Sequence, residues 1–134
     1  MSAVSDVFTY LDVQSLLGGT TAYRHRMMDT PDHQLVITAD GGDQPQIPAN
    51  DGIGDVARQR DGIQILCRSD PNNGDQALSL LETIYDALHG LNATTLGDTT
   101  YIGVRARTAA PVPLGSDDKG RSMFSHSYLL HRLV

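Results

Sequence analysis

The most constraining feature of this sequence is an amphipathic segment that lies between two chain breakers. Within residues 75–89 the apolar side chains recur at the spacing of a helix, at Ala77, Leu78, Leu81, Ile84, Tyr85 and Leu88. Asn73 is a suitable N-cap, Asp75 favours the positive end of the helix dipole, and Gly90 ends the helix. The pattern predicts a helix over residues 75–89 whose apolar stripe packs on a sheet.

Shorter apolar segments bounded by turn residues predict the strands of that sheet, and in residues 63–67 and 101–108 the apolar positions alternate. These segments cover residues 35–39, 63–67, 101–108 and 122–134. An earlier start of the first strand, near residues 22–28, would make a hairpin about Thr30-Pro31-Asp32. The last strand has two mixed faces, which is typical of a strand covered on both sides.

A second helix is predicted over residues 4–17. Its stripe comprises Val4, Val7, Phe8 and Leu11. Ser2 or Ser5 is available as its cap, and Gly18-Gly19 ends it.

The order of these segments predicts the α+β class. We expect a single domain over residues 1–134, with a mainly antiparallel sheet of about four strands and two helices packed on one face. Residues 40–61 and 110–121 are rich in glycine, proline and acidic residues, and both are predicted to be loops.

Composition excludes several classes of function. The net charge of −6 disfavours a protein that binds nucleic acid by neutralising phosphates. A single cysteine, Cys67, allows neither an intrachain disulfide nor a cysteine-based zinc site. No apolar run reaches the ~18–20 residues of a membrane span, so we expect a soluble protein made in a reducing cytoplasm.

The sequence contains no recognisable set of residues that would converge in a catalytic or metal site. Cys67 lies on the apolar side of a predicted strand, where a buried small hydrophobe is the expected role. Ser125 and His126 are neighbours on a strand, so their side chains point to opposite faces.

The five histidines, His25, His33, His89, His126 and His131, have no spacing typical of zinc ligands. Gly18-Gly19-Thr20-Thr21 lacks the Gly-Lys-Ser/Thr ending of a phosphate loop. We therefore expect no enzyme activity, no cofactor and no metal.

The predicted loop 110–121 has an unusual composition. Pro111 and Pro113 stiffen its start, and Gly115 and Gly120 allow tight turns. It is either a simple hairpin connection or an interface, since long, half-rigid loops often carry binding surfaces.

About two thirds of the chain resembles the phage minor capsid and tail terminator family. The resemblance starts with a strand that ends in an arginine, Gln64-Ile65-Leu66-Cys67-Arg68, and a helix that closes in a Leu-x-Gly-Leu end. It continues with a Pro-x-Pro-Leu-Gly-x-Asp-x-x-Gly-Arg run from Pro111 to Arg121 and a last strand of the Phe-Ser-x-x-Tyr type. Upstream, the strand 35–39 followed by Gly41-Gly42-Asp43-Gln44-Pro45 is also similar. Residues 23–28 fit no part of this pattern.

The resemblance implies a structural virion subunit, in a phage or in a phage-like gene transfer particle. Such a subunit would form a homohexameric ring at the head-proximal end of the tail tube, end tube polymerisation and join the tail to the head connector. Its partners would be itself, the tail tube protein and the connector or stopper protein, with no cofactor and no membrane. It would be present in the host cytoplasm before assembly. The alternatives are a neck or head-completion (stopper) protein, or a small cytoplasmic binding domain or enzyme.

Two sets of residues follow as candidate sites. The assembly interface is expected at Pro113, Leu114, Gly115, Asp117, Asp118, Gly120 and Arg121. Arg121 is taken as an exposed charge, so that its replacement by alanine should impair assembly and leave stability nearly unchanged.

The second set concerns DNA, which would pass through the ring without specific binding. The acidic residues Asp40, Asp43, Asp51 and Asp55 are candidates for the wall of that channel, where they would repel a polyanion. Alternatively, the acidity serves solubility alone.

Overall fold

A computed structural model describes residues 3–17, 20–42, 58–97 and 99–133. The described residues form two helices and seven strands. In chain order they are α1 (Ala3–Val13), β1 (Thr21–Arg24), β2 (Gln34–Ala39), β3 (Arg58–Pro71), α2 (Gly74–Leu88), β4 (Asn92–Leu96), β5 (Thr99–Ala106), β6 (Val112–Ser116) and β7 (Arg121–Leu133). Neither helix is long and apolar enough to cross a bilayer. The α+β class is confirmed, but the expected count of about four strands is wrong.

The strands form one sheet in the order β1-β2-β3-β7-β5-β4, and β6 pairs with a separate stretch of β7. β1 and β2 run parallel, whereas the other pairs run antiparallel. A hairpin about Thr30-Pro31-Asp32 is therefore wrong, because a hairpin would make β1 and β2 antiparallel. Residues 25–33 instead connect the end of β1 back to the end of the sheet at which β1 began, and β2 starts there.

β7 lies inside the sheet and pairs with three other strands, β3 along one edge and β6 and β5 along the other. One edge pairs with β3, where Ile63 lies opposite Tyr128. The other edge pairs first with β6, with Val112 opposite Ser125, and then with β5, with Ala106 opposite Tyr128. Such a central position explains why β7 has no purely polar face.

Both helices contribute to one hydrophobic core on the sheet. The stripe of α2 supplies Ala77, Leu81, Ile84 and Leu88, and each of these residues is fully buried. α1 adds Val4, Val7 and Leu11, and the strands add residues such as Ile63, Ile65 and Tyr128. The expected packing of the α2 stripe on the sheet is confirmed.

The ends of both helices differ somewhat from the expectation. α2 begins at Gly74, and Asn73 occupies the N-cap position without a capping hydrogen bond from its side chain. Gly90, at a φ of 89°, follows the helix as expected. α1 ends at Val13 instead of residue 17, and Ser5 lies inside the helix instead of at its cap. Ser2 and Gly18-Gly19 are outside the described residues.

The two predicted loops are shorter than expected. β3 begins at Arg58, so residues 58–61 belong to a strand, and residues 43–57 lie outside the described ranges. The segment 110–121 contains the whole of β6 and the first residue of β7. Its correct description is a hairpin that adds a strand to the sheet.

A buried hydrogen bond ties α1 to the far end of the sheet. The hydroxyl of Tyr101 on β5 donates to Oδ2 of Asp6 over 2.6 Å, and both side chains are buried. Burial and this carboxyl group raise the pKa of Tyr101 above its ordinary value. The contact fixes α1 against the β4–β5 hairpin.

Candidate assembly surface

The hairpin of β6 and β7 presents a strand that packs on almost nothing but its partner strand. All five residues of β6 are exposed, including the apolar side chains of Val112 and Leu114, which are 42% and 51% exposed. Gly115, at a φ of 94°, lies where the register between β6 and β7 shifts. An exposed apolar pair on an edge strand is a candidate contact for another protein.

The turn of this hairpin is held by hydrogen bonds around Asp117. The Arg121 amide donates to the Asp117 carboxylate over 3.0 Å, as does the Lys119 amide. The backbone of Gly120, at a φ of 75°, closes the turn by donating to the Asp117 carbonyl. The first of these bonds is the main reason that the pKa of Asp117 is lowered from its ordinary value.

The seven residues expected at the interface fall into two groups. Pro113, Leu114, Gly115 and Asp118 are exposed, as an interface in the free subunit requires. Asp117 and Gly120 are half-buried in the turn, and Arg121 is buried.

Arg121 therefore is not the exposed charge that the sequence predicted. Its side chain is 6% exposed, and Nε donates to Oδ2 of Asp117 over 2.7 Å. Nη1 donates to the backbone carbonyl of Asp29 over 2.7 Å and to Oδ1 of Asp32 over 3.1 Å. The expectation that Arg121→Ala leaves stability nearly unchanged is wrong, because the substitution removes an internal connection between distant segments.

Arg68 holds the same distant segment from β3. It is 5% exposed, and its guanidinium donates to the carbonyls of Met28, Asp29, Pro31 and Asp32 over 2.8–2.9 Å. We call residues 28–32 the anchored loop. Burial, with Arg121 nearby, lowers the pKa of Arg68, although a guanidinium stays protonated. Two buried arginines thus satisfy the backbone of a loop that has no regular structure of its own.

Two further side chains complete this arrangement. Gln34 donates to the carbonyls of Met28 and Pro31 and accepts a hydrogen bond from the Met28 amide. Lys119 of the hairpin turn lies 3.2 Å from the Asp29 carboxylate and lowers the pKa of Asp29. The anchored loop and the β6–β7 turn are therefore joined into one rigid surface.

Sequence reasoning missed the structural role of Arg68 and Arg121. Each belongs to a strand, and Arg68 precedes Asp70-Pro71 whereas Arg121 follows the turn that contains Asp117 and Asp118. A guanidinium is rarely buried without acceptors, and carboxylates and backbone carbonyls of turns can supply them. An arginine beside such a turn is therefore a candidate for burial.

Of the residues proposed for a channel wall, only Asp40 is described. Its carboxylate accepts a hydrogen bond from the Gly42 amide over 3.0 Å and lies 3.6 Å from the guanidinium of Arg107. Asp40 thus has a local structural role in the turn after β2. Asp43, Asp51 and Asp55 are outside the described residues.

The residues considered for catalysis are distributed as the sequence predicted. Cys67 is fully buried, and burial raises the pKa of its thiol to about 12. Nε2 of buried His126 donates to the Thr108 carbonyl over 3.0 Å, and Ser125 lies on the opposite face of β7. Within the described ranges, no three or more metal-ligating side chains form a group.

The burial of Cys67 has a direct chemical consequence. Only the thiolate reacts with alkylating agents, and a buried thiol with a raised pKa supplies almost none at neutral pH. We expect iodoacetamide at pH 8 to leave the folded chain unmodified and to label Cys67 fully in urea. A variant with Asp118→Cys, in the exposed hairpin turn, should react in the folded state. Rapid labelling of native wild-type protein, measured by mass spectrometry, would contradict this burial.

The fold is a small α+β domain with an exposed strand, β6. Residues 10–133 match the family described as bacteriophage tail terminator protein, and the chain belongs to this family. It is a structural component of phage-type tails and not an enzyme. No curated protein matches the chain in sequence.

Solved structures share the fold at low sequence identity. A chain from the virion of a native gene transfer agent particle is 16% identical, with a TM-score of 0.66, and the match covers 100% of both chains. A second solved chain is 17% identical, with a TM-score of 0.54 and 96% of both chains covered. At these identities the likeness concerns the fold alone.

Proposed function

We propose that this chain forms a ring, most simply a homohexamer, at the head-proximal end of a tail tube. The ring ends tube polymerisation and offers its other side to the head connector. The observation that carries the proposal is the family match over residues 10–133. The fold shared with a chain of a gene transfer agent virion adds support.

The exposed β6 strand supports a contact made through side chains. A bare edge strand can recruit another strand through its backbone, but Pro113 lacks the N–H group that such pairing needs. The register shift at Gly115 interrupts the edge further. Val112 and Leu114 are left as the groups that gain most from burial in an interface, since burying apolar side chains is the main favourable contribution.

The rigid turn behind β6 favours the same role. Asp117, Arg121 and Lys119 fix the hairpin to the anchored loop, so little conformational freedom remains to be lost when a partner binds. Pro113, Leu114, Gly115 and Asp118 form the contacting surface in this proposal, while Asp117, Gly120 and Arg121 shape it from behind.

The same proposal gives DNA a passive part. A ring of acidic subunits repels duplex DNA over about one Debye length, ~8 Å at physiological salt, which lets a genome pass without sticking. Asp40, Asp43, Asp51 and Asp55 remain the proposed positions on the channel wall.

A reconstitution with polymerising tail tube protein tests the proposal. Wild-type chain should shorten the tubes and mark one end of each, as counted in electron micrographs. Leu114→Glu should lower the fraction of capped ends by about tenfold, because it places a charge in an apolar contact. Its own folding should be unaffected, since the side chain is half exposed.

A matched control separates a lost contact from added charge. Val13 is 69% exposed on α1, away from the hairpin, so Val13→Glu should cap tubes like the wild type. Unchanged capping by Leu114→Glu would exclude the hairpin as the contact. Wild-type chain that leaves tube length and tube ends unchanged would refute the terminator function itself.

A further inference from the structure

We propose that adjacent subunits bind head to tail, through residues 24–28 of one copy and a groove beside α2 of the next. The inference rests on the proposed ring, and it assigns the two surfaces that would close it. We call residues 24–28 the basic segment, and the hollow between α2 and residues 109–111 the acidic groove.

The basic segment displays charged and apolar side chains from a fixed backbone. Arg24 and Arg26 are exposed, and Met28 is 41% exposed. Arg26 forms no side-chain hydrogen bond or ion pair within the described residues. Its neighbours are held firmly, because the His25 amide donates to the Ile37 carbonyl over 2.8 Å and Met28 is bonded through both its amide and its carbonyl. A segment fixed in this way loses little entropy on binding.

The acidic groove has the complementary chemistry. It has a volume of about 440 Å³ and is lined by Leu78, Glu82, Tyr85, Asp86, Ala110 and Pro111. Leu78, Tyr85 and Pro111 are half-buried and supply apolar surface. Glu82 and Asp86 are exposed on α2, and neither forms an ion pair with a described residue. An acidic rim over apolar surface suits a segment that offers methionine beside arginine.

The two surfaces are built from different elements of the fold. The basic segment starts at Arg24, the last residue of β1, which is an edge strand of the sheet. The groove lies where α2, which packs on β3, β7 and β5, meets the connection from β5 to β6. Two different and complementary patches make a heterologous contact, and heterologous contacts close into rings when the rotation between subunits allows it.

The acidic groove is continuous with the hairpin proposed above as an assembly contact. Pro111 lines the groove and directly precedes Val112, the first exposed residue of β6. A subunit docked in the groove would therefore extend towards β6. This continuity favours a second copy as the occupant over duplex DNA, which the net charge of −6 repels.

Charge reversal tests the pairing. Arg26→Glu and Glu82→Arg should each weaken self-association by about tenfold, because each places like charges together, and the double variant should recover most of the loss. Association is measured by native mass spectrometry over a concentration series and, with tail tubes present, as capped ends in micrographs. Arg105→Glu alters an exposed charge on β5 that belongs to neither surface, and it should behave as the wild type.

Disulfide trapping locates the contact directly. Arg26→Cys protein mixed with Glu82→Cys protein should form a covalent dimer on mild oxidation, whereas neither should do so alone. The native cysteine does not interfere because Cys67 is fully buried. The same mixture with Asp12→Cys in place of Glu82→Cys should stay uncrosslinked.

The possible outcomes test the subunit contact and the proposed function separately. Closed rings without trapping and without an effect of charge reversal would overturn this contact and leave the proposed function standing. Trapped dimers that never close into rings or cap tubes would keep the contact and overturn the function. Absence of both trapping and rings, with or without tail tubes, would overturn both. Duplex DNA binding that Arg26→Glu abolishes, with assembly unchanged, would assign the basic segment to DNA and overturn the contact.

Discussion

Replacing Arg68 with alanine is expected to destabilise the folded chain by about 3 kcal/mol. The guanidinium donates to four backbone carbonyls of the anchored loop, at Met28, Asp29, Pro31 and Asp32. Hydrogen bonds to charged groups contribute ~1.5–3 kcal/mol each. The total loss is smaller than the sum over four bonds, because some of the freed carbonyls will form hydrogen bonds with water. Urea denaturation followed by circular dichroism measures the change in the free energy of unfolding.

Two controls make the result specific. Arg68→Lys should fall between wild type and Arg68→Ala, because an ammonium group has three donors and lacks the planar shape of a guanidinium. Arg105→Ala removes an exposed arginine from the same sheet and should change stability by less than ~0.5 kcal/mol. A stability for Arg68→Ala equal to that of Arg105→Ala would show that the anchored loop does not depend on this side chain.

The second large effect is expected in the core. Leu81 is fully buried in the stripe of α2, so Leu81→Ala should cost about 2–5 kcal/mol through lost burial and the cavity left behind. Leu114→Ala is the matched control, since it removes the same atoms from a position that is 51% exposed and should cost much less. Equal costs at the two positions, measured by urea denaturation, would contradict the packing of α2 on the sheet.

The elements that could be predicted from sequence are those set by local periodicity. The stripe of α2 lies between Asn73 and Gly90, so the predicted helix was displaced by only one residue at each end. The strand β3 also carried alternating apolar residues, at Ile63, Ile65 and Cys67, and the two mixed faces of β7 indicated a strand covered on both sides. β4, Asn92–Leu96, was missed because it is short and mostly exposed, and because it begins with Asn92 and Ala93, residue types that are depleted in strands.

The features that could not be predicted depend on contacts far apart in sequence. Whether β1 runs parallel or antiparallel to β2 depends on where residues 25–33 pack, and they pack against Arg68 and Arg121. Arg121 was placed at the interface because it ends the family-like run. Its burial depends on Asp29 and Asp32, about ninety residues upstream. The exposed positions Pro113, Leu114 and Asp118, by contrast, could be anticipated from the loop composition.

The basic segment illustrates the same division. Residues 23–28 fitted no part of the family pattern, yet their arginines and Met28 are held at a defined place because Gln34 and Arg68 bind the backbone of Met28. Sequence alone shows the charges. The hydrogen bonds from Gln34 on β2 and Arg68 on β3, which sequence alone does not show, fix the position of these charges on the surface.

Locating the chain in an intact particle tests the central claim most directly. A cryo-electron microscopy reconstruction of the tail, taken from the tube to the head connector, should place this fold in one closed ring on the last layer of tube protein. The β6–β7 hairpin should lie in a contact, and the channel should be open. The claim is contradicted if the fold lies at the opposite tail tip, repeats along the tube, or is absent from the finished particle.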